Sequence, residues 1–206
     1  MKGKSFYLRL FEPEDYENTY KWHNDWDIQQ MTSGTIRFVS KEIERKWVYE
    51  KSTNNSKDIY LAICLNETDE MIGYISLNNI DMLNRTVHGG GIVIDKQYQN
   101  GEIWYEAGVL VRQYAFDILN VNRYTASCLA EHKASRMIVE ACGYQLEGIR
   151  RQAVYKNGQY HDICCYSILR EEYYALLQNG EYTFSKFLKR MRALKQIYNV
   201  NDNNKN

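Results

Sequence analysis

The chain has 206 residues, of which 44% are hydrophobic and 25% charged, the size of one domain or of a domain with an appendage. Its 26 Lys and Arg balance its 26 Asp and Glu, so the net charge of zero gives no support to a nucleic-acid partner. A single proline and 14% aromatic residues argue against disorder, and no window approaches the roughly 20 apolar residues of a membrane span.

In chain order, residues 5–10 read as a strand with Phe6, Leu8 and Leu10 on one face and Tyr7 and Arg9 on the other. Pro13 and the acids after it open a helix to about residue 24, with Tyr16, Tyr20 and Trp22 on its apolar side. A second helix is expected over 40–51. The apolar run 59–65 reads as a buried strand that turns through Asn66-Glu67-Thr68-Asp69 into a strand over 71–77. Residues 86–94 form the next strand. Gly89-Gly90-Gly91 within it predicts a bulge or a close approach of backbone.

A long helix over 104–119 places Ala107, Val111, Tyr114, Ala115 and Ile118 at helical spacing. A strand over 123–130 and a short helix over 134–142, stopped by Gly143, follow. Residues 144–155 are extended, Asn157-Gly158 is a two-residue hairpin turn, and 161–168 return. A helix is expected over 170–178. This order predicts an α/β chain with a mixed sheet and helices on both faces.

The last segment differs. Over 183–198 one helix face carries Phe184, Phe187, Leu188, Met191, Leu194 and Tyr198, and the other Lys186, Lys189, Arg190, Arg192 and Lys195. The plain reading is a helix packed on its own domain. A contact in a homodimer and a nucleic-acid or membrane patch are the alternatives. The organisation expected is a domain over 1–180, a basic amphipathic helix over 181–198 and a disordered tail over 199–206. Cysteines stand at 64, 128, 142, 164 and 165 without a metal-binding spacing. They are expected to be reduced, no metal is expected, and the absence of an apolar leader in MKGKSFYLRLFEPEDY predicts a cytoplasmic protein.

The stretch EGIRRQAVYKNGQYHDICCYSILREEY, from Glu147 to Tyr173, resembles the GNAT N-acetyltransferase superfamily in its branch of ribosomal-protein alanine and spermidine acetyltransferases. The pattern is E-G-x-x-R-x-x-x-x-x-N-G-x-Y-x-D-x-x-x-Y-x-I-L-x-x-E-Y. LRLFEPEDY, GIVIDKQYQ, Glu106-Ala107, YAFDILNVNRY, Ala134-Ser135 and ACGY extend the similarity over about 5–175. The resemblance implies the GNAT fold, a mostly antiparallel mixed sheet splayed between its fourth and fifth strands, with acetyl-CoA in the gap. Pantetheine would pair with Gly91, Ile92, Val93 and Ile94. The pyrophosphate would sit at the following helix N-terminus, near Gln99, Asn100, Gly101, Trp104 and Tyr105, with His132 and Ser135 on the short helix also facing the cofactor.

Departures from the family pattern fall in that same region. Its phosphate loop reads Q/R-x-x-G-x-G/A, whereas Gln99-Asn100-Gly101-Glu102-Ile103-Trp104 stands here, with Glu102 and Trp104 replacing small residues. Trp104 would fill the phosphate space unless the loop is re-routed, and Glu102 would repel the pyrophosphate by about 4 kcal/mol at 4 Å and an effective dielectric of about 20. His132 replaces the usual Asn, Val139 a proton-donating Tyr, and Gly89 an acid on the fourth strand. His88 is then the candidate base, and Tyr144 is a further candidate catalytic residue. His88 can equally be a solvent-facing strand residue, and Tyr144 a packing residue. The leading reading is transfer of acetyl from acetyl-CoA to a primary amine of a protein N-terminus, a polyamine or an amino sugar. The alternative is a degenerate GNAT fold that acts as a binding module.

Overall fold

The computed structural model describes residues 1–99 and 101–203. Seven strands form one sheet in the order β1-β2-β3-β4-β5-β7-β6. They are β1 (Phe6–Leu10), β2 (Ile59–Leu65), β3 (Met71–Asp81), β4 (Thr86–Ile94), β5 (Arg123–Leu129), β6 (Gln145–Lys156) and β7 (Gln159–Leu169). Every neighbouring pair is antiparallel except β4 and β5. The expected mixed, mostly antiparallel GNAT sheet is therefore present.

The helices are α1 (Tyr16–His23), α2 (Trp26–Met31), α3 (Lys41–Thr53), α4 (Gly101–Gln113), α5 (Lys133–Ala141), α6 (Arg170–Gln178) and α7 (Phe184–Asn203). Ser40 caps α3 by accepting from the Ile43 N–H at 3.3 Å. α1 and α3 cover one sheet face over a core of Phe11, Trp22, Val48, Ala62 and Tyr74. α4, α5, α6 and α7 pack over the other, larger core, which includes Phe6, Ile72, Leu77, Val111, Phe116 and Tyr166.

Several boundaries differ from expectation for local reasons. α2 falls where the sequence shows no apolar period. It exists because Asp25 accepts from the Asp27 and Ile28 N–H groups and caps its start. The helix expected over 104–119 starts earlier, at Gly101, and its last turn widens into a π-type turn over Tyr114–Ile118. That extra residue per turn rotates Ile118 off the apolar stripe and leaves it exposed. Leu10, at the end of its strand, is also exposed. The Asn157-Gly158 turn forms as expected, with φ of 49° and 81° at its two residues.

α7 packs on its own domain. Phe187 is buried against Tyr105 with ring centroids 4.7 Å apart, Arg190 donates to the Ala141 carbonyl at 2.6 Å, and Tyr198 donates to Glu140 at 2.7 Å. The helix continues to Asn203, into the stretch expected to be disordered, and residues 204–206 lie outside the described residues. The five cysteines are free, four of them buried. Among the described residues no helix is long and apolar enough to cross a membrane.

Candidate functional site: the fork between β4 and β5

The parallel pairing of β4 and β5 lasts three rungs, Thr86 with Arg123, Val87 with Tyr124 and His88 with Thr125. Beyond His88 the two strands run on without pairing, β4 to Ile94 and β5 to Leu129. Backbone N–H and C=O groups on that side of β4 therefore have no ladder partner and are available to a ligand. β7 is antiparallel to β5, and β6 to β7, so the C-terminal ends of β4, β5 and β6 all lie at the same end of the sheet. α4 follows β4 and α5 follows β5, so both helix N-termini stand at the open end of the fork. This is the crevice at the carboxyl ends of parallel strands where ligands bind in open α/β sheets.

The three glycines make the fork possible. The β3–β4 register passes from Ile75 with Ile92 to Leu77 with Gly89, so β4 carries one extra residue there, a bulge. A Cβ at Gly89 would lie 2.7 Å from the Tyr124 ring. One at Gly90 would overlap the Ser76 hydroxyl and stand 2.5 Å from Asn78 Nδ2. Gly91 is different. Its φ of 95° belongs to the left-handed region, and nothing lies within 4 Å of the place its Cβ would occupy. A side chain there would thus meet open space.

His88 sits at the last paired rung. Its Nδ1 lies 3.0 Å from Thr125 Oγ1, while that hydroxyl donates its own proton to the Val87 carbonyl at 3.1 Å. Thr125 can then only accept from the ring, which fixes the proton on Nδ1 and leaves the lone pair on Nε2. Nε2 is 3.5 Å from Ser127 Oγ, further along β5. Burial pushes the His88 pKa down, so the ring is neutral at physiological pH.

The other expected site residues divide. Gly91, Ile92, Val93 and Ile94 form the free arm of β4. Gly101 opens α4, with the nearest atom to its Cβ position a Phe184 ring carbon at 4.0 Å. Gln99 is exposed, and its amide donates to the Ile94 carbonyl at 3.0 Å, tying the loop back to the strand end. Asn100 lies outside the described residues. His132 caps α5, its Nδ1 accepting from the Ser135 N–H at 3.2 Å. That N–H is therefore already engaged.

Tyr105 and Tyr144 do not reach the gap. Tyr105 is buried under Phe184 and Phe187 because its position in α4 faces α7. Tyr144 is buried edge-on to Tyr124 beside the Arg112 guanidinium, and burial raises its pKa. The ring thus serves in the packing around Arg112. The two substitutions in the phosphate loop also have structural partners. Glu102 turns to Lys4, 2.8 Å away, and Trp104 packs half-buried against the large core.

Ser76 and Asn78 were not evident from sequence as part of the site. Ser76 is buried beside the bulge, and Asn78 lies opposite His88, with its Oδ1 buried and without a partner among the described residues. The glycine run indicated that something approaches β4 closely, but nothing in β3 marks these two side chains as what does. Among the described residues no cluster of three or more metal-ligating side chains occurs.

Comparison with known proteins agrees with this geometry. Residues 5–145 match the family model described as acetyltransferase (GNAT) domain. YdaF of Bacillus subtilis is 34% identical over 103 residues, which span 50% of this chain and 56% of YdaF. The ribosomal-protein-serine acetyltransferase of Escherichia coli is 27% identical over 68% of this chain and 78% of its own length. The crystal structure of spermidine N-acetyltransferase from Vibrio cholerae in complex with CoA and spermine superposes with a TM-score of 0.75 at 21% identity, covering 84% of this chain and 99% of that one. With the family model matched over more than half its length and the forked sheet in place, this chain belongs to the GNAT acetyltransferase family.

Proposed function

We propose that the chain transfers an acetyl group from acetyl-CoA to a primary amine, with the reaction centred at the fork beside His88. The observation that carries this reading is the arm of β4 beyond His88, which pairs with β3 but no longer with β5 and leads to the N-terminus of α4. Pantetheine is an amide chain, and the backbone groups over 91–94 that face away from β3, apart from the Ile94 carbonyl that Gln99 engages, match it as a strand would. The bare N–H groups of the first α4 turn suit a pyrophosphate. Pairing of Glu102 with Lys4 and packing of Trp104 against the core support room for the anion at this helix end.

The chemistry follows from what faces the fork. The amine nitrogen bonds to the thioester carbonyl carbon, the C–S bond breaks, and the thiolate leaves. A proton passes from nitrogen to His88 Nε2, the lone-pair nitrogen that Thr125 selects. A free alkylamine has a pKa of about 10.4, so a neutral base nearby matters. The leaving thiol, with a pKa of about 8.5 for an ordinary thiol, departs without an obligatory acid, consistent with the burial of Tyr144. Proximity supplies much of the remaining rate.

The test is thiol release from acetyl-CoA with a panel of amines: spermidine, glucosamine, and peptides beginning with Ala or Ser. Turnover with one class identifies the acceptor, and none with any class removes the reading in favour of a binding module. Gly91→Ala separates ligand binding from folding. Its methyl enters the space left open along β4, and acetyl-CoA affinity is expected to fall about tenfold, or 1.4 kcal/mol. The left-handed φ costs about 1 kcal/mol of stability. Calorimetry beside a melting curve reads both.

A further inference from the structure

α2 lies between two parts of the sheet that the fork separates. Its first turn is tied to the segment just after β4, where Lys96 pairs with Asp25 at 2.9 Å and Asp27 at 2.8 Å. Trp22, just before α2, donates from its indole to Asp95 at 3.3 Å. The other end is tied to the far side. Lys156, the last residue of β6, donates from Nζ to the carbonyls of Gln29 at 2.8 Å, Gln30 at 3.3 Å and also Thr32. β4 and β6 belong to opposite arms of the fork, and their C-terminal ends lie at its open end. α2 is thus a crossbar over the mouth of the gap.

Lys156 is unusual in its own right. It is buried, 4% exposed, and its ammonium donates to carbonyls at the negative end of a helix, with the Glu131 carboxylate acting on it only through space. Burial alone would push its pKa down, and a lysine held this way is costly unless those carbonyls satisfy it. The hairpin that presents it is itself braced. His161 Nε2 meets the Lys156 carbonyl at 3.2 Å, and His161 Nδ1 meets Glu131 just before α5. α2 contributes no buried residue to either core. Segments with so few apolar anchors open most readily, so polar ties decide their position.

We propose that Lys156 is a positioning residue that latches α2 across the open end of the fork, holding residues 26–34 as the wall against which the acceptor amine is placed. The inference rests on the acetyl-transfer reading above. The latch itself is testable without activity. Hydrogen exchange of the whole chain with Lys156→Met, which keeps the aliphatic stem, is expected to show loss of protection over 26–34, with exchange in β2 and β3 unchanged. KM for whichever amine of the panel is accepted rises about tenfold, with kcat within about twofold and acetyl-CoA affinity unchanged. Lys156→Gln, with two N–H donors and no charge, falls between the two. It also serves as the readout if the methionine variant does not accumulate folded. Unchanged exchange over 26–34 overturns the proposal, and so does a rise spread evenly over β2 and β3, which would make Lys156 a general support of the fold. Failure of the wild-type chain to bind acetyl-CoA would instead remove the acetyl-transfer reading, with the exchange result still deciding the latch.

Discussion

His88→Ala is expected to lower kcat for amine acetylation by about 10²- to 10³-fold while leaving acetyl-CoA affinity within about twofold, because in the proposed reaction the ring takes the transferring proton and does not bind the cofactor. Thr125→Val should lower kcat by less, about tenfold, since the ring remains but the tautomer is no longer imposed. The sign of the pH dependence follows from the depressed His88 pKa. The neutral ring is the active form, so activity rises with pH through a midpoint below the ordinary value of 6.5 and then levels off. The same depression means that the unfolded chain binds a proton the folded chain resists. His88 therefore subtracts from stability as pH falls below about 6.5, and the alanine variant loses that acid sensitivity. An acid limb that persists unchanged in His88→Ala would assign the base elsewhere.

The largest effect on stability is expected at Glu44, a residue that touches nothing in the fork. Glu44 is 1% exposed, its Oε2 is hydrogen-bonded to His23 Nδ1 at 3.1 Å with Oε1 2.9 Å from the same nitrogen, and His23 Nε2 meets the buried Tyr74 hydroxyl at 2.9 Å. Glu44 on α3, His23 on α1 and Tyr74 on β3 therefore lock two helices to the sheet through one line of polar contacts. Glu44→Ala leaves the imidazole without its carboxylate and opens a cavity. The expected loss is about 3 kcal/mol, which lowers Tm by about 6–12 °C for a chain of this size. Glu44→Gln, which still offers an oxygen to Nδ1, should lose roughly half as much. A thermal melt that places Glu44→Ala within 2 °C of the wild type, a bound set by that scaling, would refute the lock.

The positions of the strands along the chain and most helices were legible because each carries its own period. The runs 59–65 and 86–94 coincide with β2 and β4, and 170–178 with α6. α2 was not legible, since it depends on an Asp25 cap and on a lysine 127 positions away in sequence from Gln29, one of its acceptors. The π-type turn after Gln113 was hidden for the same kind of reason: local spacing continues the helix, and packing of Phe116 against Tyr173 takes precedence.

The site was legible in outline and not in its facing. A glycine run marks close approach, but which strand face a side chain takes after a bulge depends on register, and register is a property of the pair. Tyr105 and Tyr144 illustrate the cost. Each lies near the expected cofactor in sequence, yet α7 and Arg112 claim their faces. The substitutions Glu102 and Trp104 stand out against the family pattern, yet sequence alone gave no sign that Glu102 pairs with Lys4, far off in the chain, at 2.8 Å.

The central claim is that acetyl-CoA occupies the fork despite the altered phosphate loop, and calorimetric titration of the purified chain with CoA tests it most directly. A dissociation constant in the micromolar range, about −8 kcal/mol at 1 μM, weakened about tenfold by Gly91→Ala, is the result expected. Absence of binding at millimolar CoA would contradict the account, and the fork would then be a vestige in a protein that works through another surface.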